Sequence, residues 1–318
     1  MEKNLYLMKS IMVGHAVGDA LGVPVEFASR EELENAPVTD MEGYGTYPMP
    51  AGAWSDDTSM ALAALDSLAK GRADWDEIMQ NFGQWLSEDA YTPTGECFDA
   101  GRTCVSAILN YFKNKMPYNK CGESDERSNG NGSLMRIHPF VLYAYVKELP
   151  FAEWIDLIKS ASSLTHAHER SVLGCLIYAF ILLHLCNEQS IGSLKLGLRR
   201  AECHLREYKE MSHYQSIFKS DFDKLPTDEI KSTGYVVDTL EAALWCLLTT
   251  DNYKDCVLKA VNLGDDTDTV AAVAGGLAGA LYGYDAIPEE WRNTLIKREY
   301  IEEMCERACE SWLNKKMH

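Results

Sequence analysis

Apolar residues recur along this chain at spacings of three and four, while the alternation that marks a half-buried strand is nearly absent. That period predicts an all-α architecture, a compact bundle of many helices. Leu5, Met8, Met12 and Ala16 line one face of a first helix. Asp74 with Glu77 makes a capping-box-like start, and Ile78, Phe82 and Trp85 supply the apolar stripe behind it. Further helices are predicted over Phe151–Ala161, Ser171–Cys186, Tyr235–Thr249, Tyr253–Asn262, Thr267–Tyr282 and Glu289 to about Leu313, the last opening after Pro288. Gly275, Gly276, Gly279 and Gly283 are spaced for close helix packing.

Four segments break the pattern: Met41–Ala53, Asp89–Ala100, Lys113–Ser133, and the polar stretch Asn187–Gly234, which reads as a partly helical peripheral excursion. No internal repeat and no linker stands out, so residues 1–318 are expected to form a single domain. Loops held by rigid helices are where chemistry concentrates, which directs attention to loops of unusual content.

Composition narrows the classes. With 318 residues and 46% hydrophobic content, the chain can fill a large core without disulfide or metal staples. Its 30 Lys+Arg against 48 Asp+Glu leave a net charge of −18, a field that repels the phosphates of nucleic acid and anionic lipid. General nucleic-acid binding is disfavoured. The apolar run Val172–Cys186 falls short of the ~20 residues that span a bilayer, and the stretch from Leu5 to Gly22 is broken by Lys9, His15 and Asp19. A cytoplasmic monomer away from membranes is expected. The 10 cysteines include no CxxC pair, and Cys175, Cys186 and Cys246 sit in apolar runs as reduced core thiols. Cys305 and Cys309 share a helix face but lack a His pair at ligand spacing, which argues against zinc.

Two acidic clusters then change the picture. Trp54-Ser55-Asp56-Asp57-Thr58 precedes the run Ala61–Ala69, and Gly264-Asp265-Asp266-Thr267-Asp268-Thr269 precedes Val270–Leu281. Both read as helix N-termini, where one Asp, Ser or Thr cap stabilises by roughly 1 kcal/mol. A cap accounts for one residue of each cluster. The extra carboxylates repel one another unless a cation neutralises them. Ser55, Asp56, Asp57, Asp266, Asp268 and Thr269 offer only oxygen, which suits Mg²⁺ or Mn²⁺, and so many acids point to two ions. A diphosphate-binding terpenoid-synthase-like enzyme would need a further Asp three residues after the first pair. Met60 stands there.

Other groups are individually weaker. Gly22 and Pro24 end the first helix and aim Glu26 out of a turn, and Asp99 lies in the Gly-bounded stretch Thr94–Gly101. Ser128-Asn129-Gly130-Asn131-Gly132-Ser133 reads either as a plain loop or as a phosphate cradle of backbone N–H groups before a helix. His166, after Thr165, is either structural or a hydrogen-bond partner for a phosphate or sugar.

Together these segments resemble the ADP-ribosylglycohydrolase family, and within it the dinitrogenase-reductase-activating branch, which removes ADP-ribose from arginine. The resemblance rests on Gly18–Gly22 with Glu26, Ser55–Thr58, Thr94–Asp99, Gly130–Arg136, Leu164–His166, Gly234–Glu241 and Gly264–Thr269. It implies an all-helical fold, two Mg²⁺ or Mn²⁺ ions, and the six oxygen ligands above. It further implies that Asn129 and Gly130 to Ser133 hold a pyrophosphate, Tyr235 lies against adenine, and Glu26 and Asp99 face the distal ribose. Two departures stand out: Ser55 where the family often has Thr, and Asp265 where Gly is common.

The reaction implied is hydrolysis of the N-glycosidic bond from ribose C1 to a guanidinium, which needs a protonated leaving nitrogen and an activated water. Asp99 is the candidate for engaging arginine and for protonation, with Asp56 or Glu26 activating water or sugar, the roles being exchangeable. The expected partner is an ADP-ribosylated protein or ADP-ribosyl small molecule. Serine-linked, acetyl-linked or base-linked ADP-ribose, or a silent ADP-ribose binder, are the alternatives.

Overall fold

The computed structural model describes residues 1–314, and among them fourteen α-helices carry the fold and no strand forms. In chain order these are α1 (Glu2–Gly22), α2 (Arg30–Asn35), α3 (Asp56–Leu68), α4 (Trp75–Glu88), α5 (Arg102–Phe112), α6 (His138–Val146) and α7 (Phe151–Ser163). They continue as α8 (Glu169–Asn187), α9 (Ile191–Leu205), α10 (Val236–Leu248), α11 (Tyr253–Val261), α12 (Thr267–Tyr282), α13 (Glu289–Thr294) and α14 (Arg298–Leu313). Two isolated bridges, Glu123 with His166 and Gly130 with Tyr235, pin loops to one another.

The centre is the pair α1 and α12. Every residue of α1 from Ser10 to Gly22 is buried, so this helix is enclosed on all sides rather than on the single face that the apolar spacing predicts. The two backbones nearly touch. A Cβ on Gly18 would fall 2.1 Å from the Ala271 carbonyl oxygen, and one on Gly22 would fall 2.3 Å from Asp268 Cα. Gly275 and Gly279 face α1 as their spacing predicts, whereas Gly276 faces Tyr178 and Gly283 terminates α12 at φ +85. The helix α8 is long and apolar enough to cross a bilayer, but 78% of its most apolar window is buried inside the fold, so it serves here as a core helix.

Other boundaries depart from the periodicity for identifiable reasons. Asp74 accepts the Glu77 N–H, but the Glu77 carboxylate turns to Ser67 and Lys70 rather than back to the cap. The C-terminal helix is two helices, broken where Lys297 adopts a left-handed φ of 53. The break frees the Ile296 N–H for the Gly52 carbonyl (3.0 Å) and sends Lys297 Nζ to the Thr92 carbonyl (2.7 Å). Two irregular loops beside the acidic clusters are thereby tied to the C-terminal segment. Within the polar stretch 187–234, α9 lies on α8 so closely that a Cβ on Gly197 would meet Ile181 Cα at 2.8 Å.

The seam between α1 and α12 has a measurable consequence. Gly18→Ala should cost about 3 kcal/mol in urea unfolding, since neither backbone can yield to the new methyl. Gly192→Ala on α9, with only Ser190 Oγ nearby at 3.5 Å, should be neutral or stabilising by roughly 0.5 kcal/mol. Equal stability of the two variants would contradict the seam.

Candidate metal centre and cleft

Each acidic cluster opens a helix whose position is set by α1. Ser55 caps α3, its Oγ accepting the Asp57 N–H at 3.3 Å. Asp19, one turn before the end of α1, accepts the N–H of Ser55 (2.9 Å), the N–H of Thr58 (3.1 Å) and the Thr58 hydroxyl (2.6 Å). One buried carboxylate therefore holds the start of α3 against α1. Asp266 caps α12, and Thr267 donates its hydroxyl to the Gly22 carbonyl at 2.8 Å. Thr269 donates to Asp57 Oδ2 at 3.2 Å, joining clusters 212 residues apart.

The result is a bed of acid. Asp19, Asp57 and Asp268 bring ligand atoms within 4.8 Å of one another, as do Glu26, Asp266 and Asp268, with Asp268 common to both groups. Asp56 and Asp99 line the same cleft of about 260 Å³, together with Glu26, Asp266 and Thr269. Glu26, Asp19, Asp56, Asp57 and Asp268 are buried, while Asp99 and Asp266 are half-buried.

The electrostatics are correspondingly strained. Burial, reinforced by the charge of Asp99, pushes Glu26 up to about 8, and burial lifts Asp19 to about 6. Asp56, Asp57 and Asp268 are held well above the usual carboxylate range by burial, then by Asp99, Asp19 and Glu26 respectively. Burial also raises Asp99 and Asp266. Asp57 Oδ1, Asp268 Oδ2 and Glu26 Oε2 are buried with no hydrogen-bond partner among the described residues. Orphaned oxygens facing one another fit hard divalent cations, which need several oxygen ligands and would remove the repulsion.

The remaining predicted residues take up distinct positions. Gly130, Asn131, Gly132 and His166 line the cleft. Asn131 donates its side-chain amide to Asp266 Oδ2 and Thr239 Oγ1, both at 2.9 Å, which couples the loop to the acidic bed. Its own N–H goes to the Gly234 carbonyl at 3.0 Å. The side chains of Asn129 and Ser133 are turned inward, to Ser171 (3.0 Å) and Ser162 (2.9 Å), and the Asn129 carbonyl accepts the Val236 N–H, so these two residues brace the loop from behind while Gly130, Asn131 and Gly132 line the cleft. His166 Nδ1 is 2.8 Å from Thr165 Oγ1, and burial, followed by the charges of Arg136 and Arg102, lowers its pKa to about 3. It is neutral. Tyr235 is half-buried with the Arg170 guanidinium 5.7 Å from its ring centre.

Two further residues belong to the site. Asp19 is marked in the sequence only as a carboxylate inside an otherwise apolar helix, a signal that a buried polar group has a distant partner. Tyr47 lies beside both Glu26 and Asp99, and its ring is 5.0 Å from Phe98. Nothing in the sequence around Tyr47 announces it. Asp265 sits at φ 61, exposed, with its N–H on the Ala28 carbonyl. A left-handed backbone there suits Gly and tolerates Asp, which accounts for that departure from the family pattern.

Fold and site define an all-helical scaffold built around an acidic centre that can hold metal ions. More narrowly, the family model described as ADP-ribosylglycohydrolase matches residues 7–316, and the chain belongs to that family. It is 36% identical over 307 residues to "ADP-ribosylarginine hydrolase Tri1" of Serratia proteamaculans, covering 94% of this chain and 78% of the relative. It is 32% identical over 293 residues to "ADP-ribosyl-[dinitrogen reductase] glycohydrolase" of Rhodospirillum rubrum, covering 90% of each. A solved structure titled "ADP-ribosylglycohydrolase-related protein complex" superposes with a TM-score of 0.81 at 30% identity, covering 98% of this chain and 100% of that one.

The raised carboxylates bind protons more tightly folded than unfolded. Without metal, their contribution to stability is complete below about pH 4.5 and is lost as pH rises through about 8, the window set by Glu26. Calorimetry in chelator should therefore show Tm falling across that window. Saturating Mg²⁺ or Mn²⁺ should raise Tm by roughly 5 °C at pH 8 and much less at pH 5. A Tm indifferent to both metals at pH 8 would rule out the centre.

Proposed function

We propose that this protein is a metal-dependent hydrolase that removes ADP-ribose from ADP-ribosylated arginine by cleaving the N-glycosidic bond. The observation that carries the reading is the meeting of Ser55–Asp57 and Asp266–Thr269 at the floor of a cleft lined by Glu26 and Asp99. The naming of the relatives for arginine-linked and dinitrogen-reductase-linked ADP-ribose supports the substrate.

Ser55, Asp56, Asp57, Asp266, Asp268 and Thr269 would hold two Mg²⁺ or Mn²⁺ ions, their all-oxygen set favouring hard cations. Such ions, when bound, supply positive charge to ribose hydroxyls and acidify water. The chain's own groups do the rest. Asp99, raised by burial, keeps a proton available for the leaving guanidine nitrogen and, once ionised, pairs with guanidinium. Glu26 or Asp56 takes the proton of the attacking water. The C1–N bond breaks, a C1–O bond forms to water, and ADP-ribose and free arginine leave.

Tyr47, between Glu26 and Asp99, links the two candidate acid–base groups. The Asn129–Ser133 loop meets the pyrophosphate through the backbone of Gly130 and Gly132, His166 presents its free imidazole edge, and Tyr235 flanks the adenine. Ten free thiols, eight of them buried, suit a reducing cytoplasm, where we place the protein as a monomer acting on modified proteins or ADP-ribosyl small molecules.

Arginine-, serine- and acetyl-linked ADP-ribose, each with metal and with chelator, separate the readings. Metal-dependent release from the arginine linkage is expected, and release confined to another linkage would reassign the substrate. Asp57→Asn and Asp268→Asn should each lower kcat by about 10³ or more. Asp99→Asn should lower it about 10²- to 10⁴-fold on the arginine substrate. An unchanged arginine rate in Asp99→Asn would remove its role.

A further inference from the structure

We infer that Arg102 is a substrate-binding residue that neutralises the diphosphate of the ADP-ribosyl group; the inference rests on the reading of the cleft just given. Arg102 opens α5 directly after Gly101, whose N–H is 3.4 Å from Asp56 Oδ2, so the start of this helix is anchored to the acidic bed. Among the described residues it is the one cationic side chain lining the cleft, against Glu26, Asp56, Asp99 and Asp266.

A ligand carrying two phosphate charges needs an answering charge in such surroundings. Two divalent cations do not neutralise all seven carboxylates of the bed, and the Gly130–Gly132 backbone brings dipoles without net charge. His166 is uncharged. Arg102 faces this same wall: its charge helps depress His166, and Cys104, two residues on, lies 3.7 Å from the Gly132 carbonyl.

Arg102 is also free to serve. The one acid within ion-pair distance, Glu123, is 3.9 Å away and is already satisfied by the hydroxyls of Ser106 (2.5 Å) and Ser128 (2.7 Å), while Asp125, which also feels the Arg102 charge, is held by Ser128 and the Arg127 N–H. The Arg102 side chain is 72% exposed, so that ion pair is screened and holds it weakly. A guanidinium presents a planar fork of donors that matches phosphate oxygens.

The test is titration calorimetry of ADP-ribose into the Mg²⁺-loaded full chain, wild type, Arg102→Gln and Arg102→Lys, at low and high salt. Arg102→Gln should bind about tenfold more weakly at low salt, with a shallower salt dependence and an unchanged Tm. Arg102→Lys should keep the wild-type salt dependence. Wild-type affinity in Arg102→Gln, or a loss that leaves the salt dependence intact, overturns the assignment. Failure of the wild-type chain to bind ADP-ribose overturns the reading of the cleft itself.

Discussion

The contact on which the structure depends is the seam between α1 and α12, where backbone meets backbone with no side chain between. Gly18 and Gly22 admit the Ala271 carbonyl and the Asp268 backbone to distances that any Cβ would forbid. That approach fixes the start of α12 at the end of α1, and Thr267 closes it by bonding Gly22. Asp19, on the same turns of α1, then fixes the start of α3. Two helix N-termini from opposite ends of the chain are thus positioned by one helix, and their acids meet because the helices do.

Such convergence is unfavourable for the protein alone. Buried carboxylates a few ångströms apart push one another's pKa upward, and three of their oxygens find no partner among the described residues. The rigidity of the seam keeps them from separating. Fold stability is therefore drawn on to hold a centre whose charges are relieved by protons at low pH and could be relieved by cations at higher pH. The loops bearing Glu26, Tyr47 and Asp99 complete the cleft; those of Tyr47 and Asp99 are restrained by the broken C-terminal helix through Ile296 and Lys297, and the Glu26 carbonyl is held by the Thr46 hydroxyl. A segment without cleft residues of its own contributes to the site by holding these loops.

Much of this was legible residue by residue. The pairs Asp56-Asp57 and Asp266 with Asp268 exceed what capping requires, so their surplus charge pointed to cations before any distance was known. The Gly130–Gly132 loop and His166 were open between structural and binding roles, and both line the cleft. The break in the last helix was illegible, because helical periodicity continues through Leu295 to Lys297 while the deciding bonds go to Gly52 and Thr92. The all-round burial of α1 was hidden in the same way: amphipathic spacing reports one apolar face and is silent about how many neighbours surround a helix. Tyr47 sits in an irregular loop where no period constrains a side chain, and its pairing with Glu26 and Asp99 exists only across the fold.

By itself, the sequence determined the helical class, the residue types that can hold hard cations, and the glycines that let two helices approach. These are local properties of spacing and side-chain chemistry. Tertiary structure alone decided which acids share an oxygen-lined space, that Asp268 belongs to two groups at once, and that Asn129 and Ser133 turn inward. It also decided that Arg102 faces the cleft in a chain of net charge −18. The reason is physical: Coulomb interactions and burial act through separation in space, and residues 212 apart in sequence become neighbours only when the seam between α1 and α12 is closed.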